Sequence, residues 1–264
     1  MTLHRTPLYQ SRDARGVLTL TLDVPNTRNA LSPDLMDALH DAARDLASDE
    51  ATRVVVLRGA GAMFCAGGDL NWMRAQRKAS PEERRTEARR LAFMLQALDR
   101  IPQVLIGQVH GGAFGGGVGL MSVCDLCVGT KDARFGLTET RLGLIPATIG
   151  PYVGARIGPA SARRTMLSGR RFGADEALAL GLLFRVVPEA ELNTAVAEEV
   201  AEHLKAAPGA IASAKAMIRA LAPPVTDEAI EATIDRLVER WDSAEALEGI
   251  DAFFAKRSPK WIET

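Results

Sequence analysis

Two glycine-dense segments, about fifty residues apart, limit what this chain can fold into. Phe64-Cys65-Ala66-Gly67-Gly68-Asp69-Leu70 follows the apolar run Val54-Val55-Val56-Leu57. Gly111-Gly112-Ala113-Phe114-Gly115-Gly116-Gly117-Val118-Gly119-Leu120 follows Val104-Leu105-Ile106-Gly107-Gln108-Val109. Two strand ends, each continued by backbone nearly bare of side chains, can aim two peptide N–H groups at one small volume. That is the arrangement of an oxyanion hole, which stabilises negative charge developing on a carbonyl oxygen. The same glycines also suit tight strand-to-helix turns or close packing with no chemistry attached. The spacing alone leaves both readings open.

The chain around these segments alternates strand and helix signals. Residues 16–22 alternate in polarity with period two and predict a strand. Ser32-Pro33 is an N-cap followed by proline at the first helical position, and Leu35, Met36, Leu39, Ala42, Ala43 and Leu46 follow at helical spacing. Residues 53–58, 103–109 and 126–130 predict further strands. Ser80-Pro81 with Glu83 starts a helix running toward Ile101. The second glycine segment turns into a short helix, and Asp69 suits the cap of a helix after the first. This alternation predicts an α/β architecture with parallel pairing. From about Pro188 the pattern becomes all-helical, over 188–206, 210–221, 226–241 and 243–256. Arg74–Arg90, with seven basic and three acidic residues, reads as a solvated helix or a mobile loop.

Composition narrows the functional classes. In 264 residues, 47% are apolar and 25% charged, and the formal net charge is −1. That balance gives no general attraction to nucleic acid or membranes. No run of about 18 apolar residues suggests a membrane span, and the first residues lack the apolar core of a signal peptide. The expected setting is cytoplasmic. Cys124 and Cys127 have C-x-x-C spacing, but no second pair or histidine cluster accompanies them, so no metal site is expected. Cys65 lies beside the first glycine turn without a base to activate it.

Phosphate-binding motifs are also absent. After Gly59-Ala60-Gly61 the dinucleotide fingerprint requires glycine at 64, where Phe64 stands, and after Gly115-Gly116-Gly117 the pattern fails at Leu120. No Gly-Lys-Ser/Thr follows either segment, and G-x-S-x-G is missing.

Taken together, Phe64–Leu70, Gly115-Gly116-Gly117…Cys124-Asp125, Asn26-Thr27-Arg28-Asn29-Ala30-Leu31-Ser32, Phe135-Gly136-Leu137-Thr138-Glu139, Arg141–Pro146 and Phe253–Arg257 resemble the enoyl-CoA hydratase/isomerase, or crotonase, superfamily. The resemblance covers roughly residues 15–258. It implies a spiral of ββα turns over residues 1–195 and a helical carboxy-terminal region, 196–264, used in trimerisation. Homotrimers or dimers of trimers are implied, as is an acyl-CoA thioester substrate whose coenzyme A serves in place of a separate cofactor. The residues implied as catalytic are Ala66 and Gly116, through their N–H groups, and Glu139 as acid–base. Arg28, Ala30, Lys256 and Arg257 match positions near coenzyme A, and the last two are expected to reach a neighbouring subunit's ligand.

One position departs from the pattern. Many hydratases of the family carry a second glutamate where this chain has Gly119. Two carboxylates divide the work of hydration, whereas a double-bond shift needs one base. Asp69–Met73, Phe114–Leu120 and Ile145-Pro146-Ala147…Pro151-Tyr152-Val153 nevertheless resemble bacterial methylglutaconyl-CoA hydratases of leucine breakdown, with which glycine at 119 is compatible. The sequence therefore predicts hydration of a branched or carboxylated 2-enoyl-CoA, with Δ3–Δ2 enoyl-CoA isomerisation by Glu139 alone as the alternative. Arg74, Arg77, Lys78 and Arg141 are candidate partners for a substrate carboxylate. A non-catalytic acyl-CoA-binding or RNA-binding role forms a third class. For RNA, the acidic face of the first helix (Asp34, Asp37, Asp41, Asp45, Asp49) is repulsive.

Overall fold

A computed structural model describes residues 6–221 and 225–262. Its main sheet has six strands: β1 (Leu8–Arg12), β2 (Val17–Leu22), β3 (Val54–Gly59), β4 (Val104–Val109), β6 (Leu126–Thr130) and β9 (Arg185–Val187), in that spatial order. β1 pairs antiparallel with β2, and every other pairing in this sheet is parallel. A second sheet joins β5 (Gly112–Phe114), β7 (Arg134–Gly136) and β8 (Arg171–Gly173), three residues each. Strands this short carry no periodic signal, so the sequence reading missed them.

The helices form where caps and apolar spacing predict them. Ser32 caps α1 (Pro33–Leu46), which buries Leu35, Met36, Leu39, Ala42, Ala43 and Leu46 against the sheet. Asp69 accepts from the N–H groups of Asn71 and Trp72 and opens α2 (Leu70–Lys78). Ser80 and Glu83 form a reciprocal capping box at the start of α3 (Pro81–Arg100). α4 (Gly116–Val123) carries no polar face and is buried among the strands and α3. α5 (Gly150–Met166) breaks at Gly158-Pro159 and leads through β8 to α6 (Ala174–Ala179). α7 (Leu192–His203) packs Leu192, Ala195, Val196 and Val200 on the opposite face of the main sheet. The expected division at 195/196 falls inside this helix.

α8 (Pro208–Leu221), α9 (Asp227–Trp241) and α10 (Ala244–Phe254) complete the chain's helices. The basic stretch Arg74–Arg90, expected as a solvated helix or a mobile loop, is helical and partly exposed, but several of its arginines are engaged by distant acids. It lies on α2 and α3, and four of its arginines pair with acids of the helices that return from the end of the chain, while Arg90 pairs with Asp37 of α1. Arg77 pairs with Asp251 at 2.6 Å, Arg89 with Glu231 at 2.8 Å, and Arg85 with Asp235. Arg84 is the buried member. It reaches Asp242, donates to the Gln76 carbonyl at 2.9 Å and lies over the Trp241 ring at 5.7 Å. Exposed pairs each contribute about 0–1 kcal/mol, whereas a buried guanidinium stripped of its partners costs more. Arg84→Ala is expected to lower unfolding free energy by about 2 kcal/mol, and Arg89→Ala by under about 1 kcal/mol. Urea titration of both variants checks this ordering.

Candidate active site

The two glycine segments lie against each other. Cys65 and Ala113 form a parallel bridge, in which Cys65 N–H donates to the Gly112 carbonyl at 3.3 Å and Phe114 N–H to the Cys65 carbonyl at 3.1 Å. Side chains would prevent this approach. A Cβ at Gly117 would stand 2.5 Å from the Cys65 carbonyl oxygen, and one at Gly67 would stand 2.7 Å from that of Phe114. The contact places Ala66 and Gly116 together on the wall of a cavity of about 1470 Å³, which Glu139 also lines.

Gly116 occupies the first position of α4, where a helix supplies no acceptor for the N–H, and it lines the cavity at the positive end of the helix dipole. Ala66 differs from expectation. Its N–H donates to the Arg28 carbonyl at 3.0 Å, because a partly buried peptide donor takes an acceptor where the chain offers one. A thioester oxygen at Ala66 has to share that N–H or displace Arg28. The Arg28 peptide is itself held firmly. Arg28 and Asn29 both have left-handed backbone, and the fully buried Asn29 side chain accepts from Val24 N–H and donates to the carbonyls of Ala60 and Met63.

Glu139 opens the 3-10 turn Glu139–Leu142, just after β7. The residue as a whole is half-buried, but its Oε2 has no solvent contact and no hydrogen-bond partner. Burial disfavours the charged form and pushes the carboxyl up to about 7, against a smaller opposing effect of its own backbone N–H. A Cβ at Gly115 would lie 2.9 Å from Oε1, so the glycine before the α4 donor leaves room for the carboxylate. The turn is gripped from the carboxy-terminal side. Arg240 donates to the Gly143 carbonyl at 2.8 Å, and a Cβ at Gly249 of α10 would stand 2.4 Å from the Leu142 carbonyl oxygen.

The position of the family's second glutamate is closed. A Cβ at Gly119 would lie 2.6 Å from Ile149 Cγ2 and 3.3 Å from Leu95 Cδ1, so apolar side chains fill that space. Much of the cavity wall around Glu139 is apolar too, including Leu91, Met73, Leu144, Ile145, Ile149 and Leu237. Among the described residues, no three His, Cys, Asp or Glu side chains group as metal ligands. Cys65 is fully buried and its thiol is pushed up to about 12, which removes it as a nucleophile. Cys124 and Cys127 are buried free thiols packed against Gly107. His110 follows β4, with Nε2 2.8 Å from the Gly61 carbonyl oxygen.

The residues expected near coenzyme A are divided. Arg28, Lys256 and Arg257 line this chain's own cavity, and Arg257 is paired with Glu248. Ala30 is buried beneath the Arg28–Asn29 turn and is not on the cavity wall. Of the cations expected for a substrate carboxylate, Arg77 is committed to Asp251 and Arg74 lies over the Phe254 ring at 4.4 Å. Lys78 is exposed away from the cavity, while Arg141 lines it and donates to the Ser168 carbonyl. Sequence reasoning missed Arg134 and Arg171, which also line the cavity. Their signal was weak, because each sits in a three-residue strand.

A carboxyl raised toward neutrality thus lies beside the first turn of a buried helix on the wall of one large cavity. The chain belongs to the enoyl-CoA hydratase/isomerase family, whose sequence pattern matches residues 12–264. It is similar to an enoyl-CoA hydratase from Mycobacterium avium, with 32% identity and a TM-score of 0.87 over 98% of this chain and 100% of that one. An enoyl-CoA hydratase from Mycobacterium smegmatis is 36% identical, with a TM-score of 0.79 over 97% and 99% of the two chains. The 1,2-epoxyphenylacetyl-CoA isomerase of Escherichia coli K12 is 31% identical over 94% of this chain and 95% of its own length. The family acts on acyl-CoA thioesters, and no described helix is long and apolar enough to cross a membrane.

The raised Glu139 pKa has a definite sign in stability. Below about 4.5 the carboxyl is protonated in both folded and unfolded chains and burial carries no charge penalty. As pH rises toward about 7, the unfolded chain ionises first and gains stability, so the fold is destabilised. The stability advantage of Glu139→Gln over the parent is expected to grow through that window to at most on the order of 3 kcal/mol, and then to level off. Denaturant titrations at several pH values measure it, and a constant difference would contradict the assigned burial.

Proposed function

We propose that the protein adds water across the C2=C3 bond of a 2-enoyl-CoA thioester, or removes it, through an enolate stabilised at Gly116 and Ala66. The observation that carries this reading is Glu139, a desolvated carboxyl near neutrality with an unpartnered oxygen, next to the α4 N-terminus. The N–H donors polarise the thioester carbonyl and hold the charge that forms on its oxygen. Glu139, as carboxylate, takes a proton from the water adding at C3, and a proton passes from the same group to C2. Electrons from the new C–O bond displace the C2=C3 pair into the thioester, and protonation at C2 returns them. General acid–base assistance of this kind contributes about 10²–10⁴-fold.

Closure of the Gly119 position by Ile149 and Leu95 favours a second reading. A single base removes a proton from C2 of a 3-enoyl thioester and returns it at C4, which is Δ3–Δ2 isomerisation. A panel of matched 2-enoyl and 3-enoyl thioesters separates the two, because only the hydratase forms a 3-hydroxyacyl product. For the proposed hydratase, Glu139→Gln is expected to lower turnover by about 10²–10⁴-fold while retaining thioester binding. Near-normal turnover in that variant would sink the assignment of Glu139. The apolar lining supports a branched acyl chain, and 3-methylglutaconyl-CoA belongs in the panel as the carboxylated member.

Assembly through the carboxy-terminal region belongs to the same reading. α8 buries none of its residues and exposes Met217, Ile218 and Leu221, while Leu167 and Phe184 are also bare. A helix with no buried residue and several bare apolar side chains suits a subunit contact. Sedimentation equilibrium is expected to give a homotrimer or a dimer of trimers, and Ile218→Asp is expected to shift it toward monomer.

A further inference from the structure

The small sheet carries two exposed arginines, Arg134 and Arg171. Its cross-strand partners form two rows: Gly112, Arg134 and Gly173, then Phe114, Gly136 and Arg171. Cross-strand partners share a sheet face, as do residues two apart on one strand. Arg134 and Arg171 therefore project from the same face as diagonal neighbours, with backbone positions about 7–8 Å apart. Glycines supply the floor between them. A Cβ at Gly136 would stand 3.2 Å from Phe114 Cδ1, so its absence lets the Phe114 ring lean across the row. The Arg171 guanidinium lies over that ring, 5.4 Å from its centre. A Cβ at Gly173 would be 3.8 Å from Arg134 Nη1, which donates to the carbonyls of Asp132 and Ala133.

Among the described residues, neither guanidinium pairs with a carboxylate. Glu176 is held by Arg170 at 2.8 Å and Arg164 at 3.2 Å, while Asp175 and Asp132, nearer along the chain, form no ion pair with either arginine. Two neighbouring cations without an acid repel one another, and an anion placed between them relieves that repulsion. Both arginines line the cavity that holds Glu139. Phe114, beneath Arg171, is followed directly by Gly115 and the Gly116 donor. The coenzyme-side cations Arg28, Lys256 and Arg257 come from other elements, the turn before α1 and the end of α10.

We infer that Arg134 and Arg171 form an anion subsite that reads a second carboxylate, carried on the acyl chain of the bound thioester. This rests on the acyl-CoA site proposed above and names the class of substrate it selects, an enoyl-CoA derived from a dicarboxylic acid. The Phe114 ring holds the Arg171 guanidinium flat, which suits a bidentate carboxylate contact.

Calorimetric binding of glutaryl-CoA and butyryl-CoA, saturated thioesters that need no turnover, tests the subsite. The parent is expected to prefer glutaryl-CoA. Arg171→Gln is expected to weaken glutaryl-CoA about tenfold to a hundredfold and to leave butyryl-CoA unchanged, with Arg171→Lys recovering part of the loss. Arg134→Gln, measured the same way, is expected to weaken glutaryl-CoA selectively as well, and it carries the test if the Arg171 variant does not fold. Equal weakening of both thioesters and of free coenzyme A would assign the arginines to coenzyme phosphates and overturn the inference. No change with either ligand overturns it too. A carboxylate preference without any turnover would fault the proposed reaction and leave the subsite standing.

Discussion

Contact between two backbones without intervening side chains is the constraint on which the site depends. The bridge between Cys65 and Ala113 closes only because Gly67 and Gly117 leave carbonyl oxygens unobstructed. That closure brings a strand end and the first turn of a buried helix to one wall. The glycines are thus packing residues and site residues at once. The two readings that the sequence left open describe the same contact, because close packing of the segments is what sets Ala66 beside Gly116.

Around that contact charge adds to apolar burial in seating the helices that return from the end of the chain. The basic face of α2 and α3 draws in α9 and α10. The returning helices in turn grip the turn that begins with Glu139, through Arg240 at Gly143 and Gly249 at Leu142. A carboxyl with one oxygen left unpartnered needs a rigid backbone to keep it in place, and Arg240 and Gly249, far along the chain, supply contacts that hold that backbone.

Much of this was legible in the sequence. The caps at Ser32, Asp69 and Ser80 stand where local chemistry puts them, and the parallel strands follow their apolar runs. What escaped detection was what depends on tertiary partners. Arg74–Arg90 reads as a solvated segment because its acids lie far away in sequence. The sheet of β5, β7 and β8 is too short for any periodicity to mark it, and Arg134 and Arg171 went unnoticed with it. At Ala66 the sequence implied a donor aimed at substrate, and only the fold could disclose the Arg28 carbonyl already bonded to it. Gly119 was visible as an absence, but its meaning required Ile149 and Leu95, which occupy the space.

The isolation of Glu139 Oε2 from water bears on the fate of a proton. A proton that this oxygen receives has no solvent molecule in contact with it and no neighbouring side chain to accept it. In the proposed reaction a hydrogen taken from the adding water and held at this one carboxyl is the hydrogen delivered to C2, so both parts of the water arrive on the same face of the double bond.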